Sequence, residues 1–184
     1  MVDVMGHVAM GLLWAIPAWF VWTDRASLAF IGIAAVAALL PDIDLFLSQW
    51  FPAAIHHHGI THTVVAVLGA SVVAGALTAV AFAGPFERWT RGERFDRTSA
   101  FVFAAAAYAV GGLSHIFADM LSAPDLSTPI EPLWPFVRQS WGLDLIWYNS
   151  PWWNIGLLAV ALTIHAAIAV AADPLDHPYR LGEA

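Results

Sequence analysis

Histidine and aspartate are the residues through which this 184-residue chain could do chemistry, and they fall in short groups along it. His7 stands alone near the start. Asp42 and Asp44 follow Pro41, His56, His57 and His58 precede His62, and His115 precedes Asp119. Residues four apart on a helix project from one face, so His115 and Asp119 could touch a single ion, and His58 and His62 share that spacing. The two carboxylates of Asp42-Ile43-Asp44 flank one apolar residue in a turn after proline, where both could reach a cation or one could orient a histidine ligand. Cysteine is absent, so any metal would be held by nitrogen and oxygen. Imidazole mixed with carboxylate suits a divalent transition metal, zinc first and manganese or iron next, better than calcium or magnesium. The candidates outnumber the ligands of one tetrahedral site and suit one or two ions, the arrangement that hydrolyses phosphoesters.

The elements that position these residues are apolar. Hydrophobic residues make up 60% of the chain and charged residues only 11%, with a mean hydropathy of +0.70, whereas soluble domains carry roughly 25% charge. The expected fold is an all-α polytopic membrane protein, a single domain over 1–184. About five transmembrane helices are expected, at 5–22, 27–40, 63–82, 99–120 and 153–172. The second run rises only about 21 Å, short of a hydrocarbon core of about 30 Å. It either stops within the membrane at Pro41 or resumes through Leu45-Phe46-Leu47, and both alternatives leave Asp42 and Asp44 recessed. Asp3 rather than a basic region flanks the first run, which reads as a retained helix and not a signal peptide. Residues 121–151, rich in proline and tryptophan, read as a cap over one end of the helices, and 173–184 as a cytoplasmic tail.

Seven arginines and no lysine against fourteen acids remove the basic footprint of a nucleic-acid binder. Basic residues mark cytoplasmic loops, and Arg88, Arg91, Arg94 and Arg97 fall between the third and fourth runs. With that loop inside, Arg25 and Arg180 also lie inside and only Arg138 lies outside, giving a multi-pass cell-membrane protein with its N-terminus out and C-terminus in. The same topology places His7, Asp42, Asp44, the 56–62 histidines, His115 and Asp119 all at the outer end, on an acidic face that also carries Asp3, Asp125, Glu131 and Asp144. Trp14, Trp19, Trp22 and Trp89 fall near the inner boundary, and Trp50, Trp134, Trp141, Trp147, Trp152 and Trp153 near the outer one, as in two aromatic belts. Ionisable groups gathered at spanning helices are costly unless paired or bound to an ion, which makes the cluster a candidate site.

The order Pro41-Asp42-Ile43-Asp44, His57-His58-Gly59-Ile60-Thr61-His62-Thr63, His115-x-x-x-Asp119 and Leu133-Trp134-Pro135-Phe136 resembles the YdjM-like family of predicted membrane-bound metal-dependent hydrolases. The resemblance runs from His7 to about Phe136. It departs at His58, where the family usually has arginine, and in a longer link over 122–131. It implies a metal-dependent hydrolase of a small-molecule or lipid-linked phosphoester, with a more distant similarity to zinc-dependent phospholipase C and related nucleases. His7, Asp42, Asp44, His57, His62, His115 and Asp119 are the expected metal ligands. Asp44 and His58 are the expected catalytic residues, with Asp44 orienting a ligand, bridging two ions or serving as base.

The rival readings are a non-catalytic metal-binding or transport protein, and a polar cluster that only fixes helix packing. A transporter would place its ionisable groups near the midplane, often in repeated halves, and neither feature is visible. His165, midway along the last run, is assigned to packing. His56, Glu131 and the tail residue His177 are assigned to exposed surface.

Overall fold

The computed structural model describes residues 2–22, 24–90, 96–124 and 126–171. Seven α-helices and two irregular helical turns form it: α1 Val4–Trp14, α2 Ala18–Val21, α3 Asp24–Ala37, α4 Ile43–Trp50, a 3-10 turn Ile60–His62, α5 Val64–Thr90, α6 Arg97–Leu121, a π turn Trp152–Gly156 and α7 Leu157–Ala171. Among the described residues the only strand-like pairings are isolated bridges, Ser122 with Ile146 and Ile130 with Trp141. The chain is an all-α polytopic membrane protein. Four stretches are long and apolar enough to cross a bilayer: Val4–Val21, Val64–Thr90, Arg97–Leu121 and Trp152–Val170. The second expected helix, 27–40, is the short α3, as its length predicted. After it the chain turns through Pro41 and resumes as α4, so of the two alternatives left open at Pro41 the structure takes the resumed helix.

Three boundaries differ from the expected ones. The first span breaks between Trp14 and Ala18, because Pro17 supplies no N–H and its ring collides with the preceding turn. The third runs on to Thr90 through Pro85, so Arg88 lies on a helix and not in a loop, and Arg97 opens α6. Arg91, Arg94, Asp125, Arg180, His177 and the tail lie outside the described residues. Trp19, expected in an aromatic belt, is 3% exposed: its indole N–H donates to His165 Nδ1 at 2.7 Å, while His165 Nε2 lies 3.0 Å from the Leu12 carbonyl. His165 thus serves packing, as expected.

Close approach at small residues holds the bundle together. A Cβ on Gly11 would meet Ala38 Cβ at 2.8 Å, and one on Gly111 would meet the Ala34 carbonyl at 2.2 Å, so α1 and α6 both seat on the Ala34–Ala38 turn of α3. Ala9, Ala34 and Ala107 are fully buried there. Van der Waals contact between small residues replaces the hydrophobic drive that lipid cannot supply. At one end Arg25 donates to the Trp89 carbonyl at the end of α5, near Arg88. At the other end the segment after α6 folds back on it, Leu143 N–H donating to the Met120 carbonyl and Ile146 N–H to that of Leu121, with Ile130 and Ile146 buried beneath.

Candidate metal centre

The three interruptions of helix geometry at this second end carry the histidines and aspartates. Asp42 and Asp44 ride on the α3–α4 turn, His57 and His58 on the loop before the 3-10 turn, and His62 closes that turn. His7 comes from the first half of α1, and His115 and Asp119 from the last two turns of α6. His7, Asp44, His62 and His115 are fully buried and Asp119 nearly so.

Two imidazole nitrogens face each other at the centre: His62 Nε2 and His115 Nε2 are 3.1 Å apart. Around them Asp42 Oδ1 lies 3.4 Å from His62 Nε2 and 3.6 Å from His115 Nε2, and Asp119 Oδ2 lies 3.5 and 3.1 Å from the same two atoms. A metal bound at 2.0–2.1 Å by tetrahedral ligands separates them by about 3.3 Å, and these spacings bracket that value. The second carboxylate oxygens turn towards His7, whose Nε2 is 3.9 Å from Asp42 Oδ2 and 3.7 Å from Asp119 Oδ1. His7 and His115 stack with centroids 3.7 Å apart. The buried atoms His7 Nε2, Asp42 Oδ1, Asp119 Oδ2 and His57 Nε2 have no hydrogen-bond partner. A buried polar atom left unpaired is costly, so this donor set fits a divalent cation.

The outer contacts aim these ligand atoms. Ala38 lies just past the end of α3, where carbonyls lack an intrahelical partner, and its oxygen lies 2.7 Å from His115 Nδ1. A carbonyl only accepts, so the His115 proton sits on Nδ1 and the Nε2 lone pair faces the centre. Asp44 does the same for two histidines, with Oδ1 2.9 Å from His57 Nδ1 and Oδ2 3.1 Å from His62 Nδ1. Thr61 Oγ1 donates to Asp44 Oδ2 at 2.7 Å, and the Val2 N–H donates to Asp119 Oδ1 at 3.2 Å. His58 Nδ1 bonds the Thr128 carbonyl, and its Nε2 lies 3.6 Å from Asp119 Oδ2. His58 holds this place in the left-handed region, at φ 62°.

Electrostatics follow the same contacts. Burial would raise the Asp42 carboxyl, but the His62 imidazole 3.4 Å away and the neighbouring His115 and His7 keep it below its usual value. Asp44 is lowered further: hydrogen bonds from His57, His62 and Thr61 outweigh its burial. Burial alone would lower His62, yet the Asp42 and Asp44 carboxylates on its two sides raise it to about 9. Burial pushes His58 down to about 4, which keeps it neutral at pH 7.

Every expected site residue therefore lies in one buried cluster. Three groups could each hold an ion: His57, His58 and His62; Asp42, Asp44, His57 and His62, which overlaps the first; and, sharing no residue with these, His7, His115 and Asp119. Thr61 and the backbone groups of Val2, Ala38 and Thr128 are additions. Thr61 stood inside a quoted motif without a role, whereas backbone groups leave no mark in side-chain identity.

Residues 1–177 match the YdjM inner membrane protein family. The chain belongs to that family. No curated protein and no solved structure matches it. In this YdjM family member the matched span contains every residue of the cluster, from His7 to Asp119.

Proposed function

We propose that this YdjM family protein is a membrane-bound metal-dependent hydrolase of a phosphoester. The observation that carries this reading is the meeting of two imidazole Nε2 atoms and two unpaired carboxylate oxygens at ligand spacing in a buried site. His62, His115, Asp42 and Asp119 would hold an ion. His7, facing the other oxygens of both carboxylates, is placed to help hold a second, and His57 Nε2 is a further ligand atom. Zinc suits the donor set, with manganese or iron as the alternatives. Such an ion supplies Lewis acidity, meaning activation of water near neutral pH and neutralisation of charge on an anionic ester.

The protein's own groups do the rest. Asp44 spends both oxygens on histidine Nδ1 atoms and Thr61, which suits orientation of ligands better than proton abstraction. His58 is neutral, lies against Asp119 and borders an open cleft, so it is the group placed to exchange a proton with a reacting ester or to contact its phosphate. The arginines Arg25, Arg88 and Arg97 gather at the end of the bundle away from the site, which supports the topology with the centre at the outer face.

Metal analysis of purified wild type beside His115→Ala and Asp119→Ala tests the centre. Stoichiometric transition metal in the wild type and its loss in the variants is the expected result, and a metal-free wild type rejects it. Metal without turnover across a phosphoester and phospholipid panel would leave a non-catalytic metal protein. Membrane-impermeant thiol labelling of Gln139→Cys but not Glu87→Cys in intact cells is expected for the topology, and the reverse pattern would invert it.

A further inference from the structure

Two cavities, one almost wholly apolar and one of mixed lining, reach the cluster through different residues. The first is an apolar groove between α3, α5 and α6. Its lower part, about 600 Å³, runs past Gly32, Val36, Phe82 and Tyr108, and a narrower upper part of about 170 Å³ continues from Tyr108 to Pro41 and Thr61. Pro41 precedes Asp42, and Thr61 donates to Asp44, so the groove ends on residues that carry the site. The second cavity, about 640 Å³, is a cleft of mixed lining in which His56, His58, Thr128, Glu131 and Ser140 stand among apolar residues such as Ile60, and His58 joins it to Asp119.

The groove exists because α3 is short and presents Gly32, at which a Cβ would meet nothing within 4 Å, while α5 is drawn onto α6, where a Cβ on Gly75 would lie 2.7 Å from Ala105. Its few polar groups are satisfied locally: Ser71 donates to the Val67 carbonyl and Thr78 pairs with Tyr108. Water therefore finds little there to bind. From Ala66 to Phe82 the groove follows α5 for about 24 Å at 1.5 Å per residue. That exceeds the roughly 15 Å of hydrocarbon in one leaflet.

We propose that the substrate is a membrane lipid, one hydrocarbon chain lying in the α3–α5–α6 groove and its polar headgroup lying in the 54–63/128–140 cleft, so that the ester between them meets the His/Asp cluster. The apolar groove gives the occupant its chain, the polar groups of the mixed cleft give it a headgroup, and their meeting at one cluster makes these parts of one molecule. Glu131 in the cleft favours a headgroup with N–H or O–H donors. The placement of the ester rests on the metal-hydrolase reading, whereas chain binding in the groove does not.

The test uses the full chain reconstituted in phosphatidylethanolamine and phosphatidylglycerol vesicles doped with phosphatidylethanolamine that carries a diazirine midway along one chain. Illumination is expected to give crosslinks concentrated on residues 29–36 and 78–86. They should be lost in Gly32→Trp and in the smaller Gly32→Phe, while crosslinks at the exposed Leu162 of α7, which does not line the groove, persist. Metal content of the same samples should not change. Crosslinks spread evenly around the bundle, or unchanged by both substitutions, would overturn the groove even if metal is bound. Concentrated crosslinks in a metal-free protein would keep the chain site and reject the hydrolase reading. Where turnover is measurable, both substitutions should slow hydrolysis of the vesicle lipid and spare a soluble short-chain phosphoester; equal loss on both substrates would count against the proposal.

Discussion

His62 and His115 meet Nε2 to Nε2 at 3.1 Å, and each has its other ring nitrogen committed, His62 to Asp44 and His115 to the Ala38 carbonyl. Two lone pairs at that distance repel unless a cation or a proton lies between them. Nearby Asp42 and Asp119 add negative charge, and among the described residues no arginine pairs with either carboxylate. The pair is stabilised by positive charge, which is the physical basis of the metal centre proposed for this YdjM family protein.

Asp44→Asn should weaken the metal without abolishing it. The amide preserves shape but cannot accept from both His57 and His62, and loss of such an orienting contact costs about 10- to 100-fold in metal affinity. Competition with a chelating dye, compared with the complete loss expected for His62→Ala, measures the difference.

Metal binding should release a proton and weaken as pH falls. His62 is raised to about 9 by Asp42 and Asp44, so in the metal-free protein it is protonated at pH 7 and its proton must leave before Nε2 can ligate. The sign for the metal-free fold is opposite: the raised value contributes stability that is present below the ordinary value of 6.5 and fades as pH rises through about 9. Between those limits affinity should change by about tenfold per pH unit through this one group. Calorimetry in buffers of different ionisation enthalpy counts the protons released.

Gly111→Ala should destabilise the protein by about 1–3 kcal/mol, because its Cβ would lie 2.2 Å from the Ala34 carbonyl and push α6 off α3. The same displacement pulls His115 away from Ala38, so metal affinity should fall with it. At Gly69 a Cβ meets nothing within 4 Å, and Gly69→Ala should be neutral or stabilising. Thermal unfolding in detergent compares the two.

Trp19→Phe separates a packing histidine from the metal histidines. It removes the donor to His165 Nδ1 and leaves a buried acceptor unpaired, at a cost of about 1–3 kcal/mol. Stability should fall while metal content stays at the wild-type level.

Membrane character and the membership of the His/Asp cluster were legible in the residue order. Runs such as 64–82 and 99–120 admit no other solvent than lipid, and His or Asp placed where such runs begin and end had to gather at one end of a bundle. The register of helix ends was less legible. Pro17 breaks α1 but Pro85 is carried within α5, and proline alone does not say whether neighbours will satisfy the freed carbonyls. Trp19 read as a boundary residue because its type favours interfaces, and its partner, His165, is 146 residues away.

The sequence by itself determined an all-helical membrane chain, its family, and the His/Asp set from His7 to Asp119, because hydropathy and ligand chemistry are properties of residue type. Only the tertiary structure decided how each member of that set is oriented. The division of labour between His62 and His115, which face the centre, and Asp44, which turns outward to aim two of the histidines, depends on a carbonyl left open at the end of α3, a threonine in a 3-10 turn and glycines that let α1 and α6 close on α3. Those are contacts between segments far apart in the chain, and backbone acceptors and close approaches leave no trace in side-chain spacing.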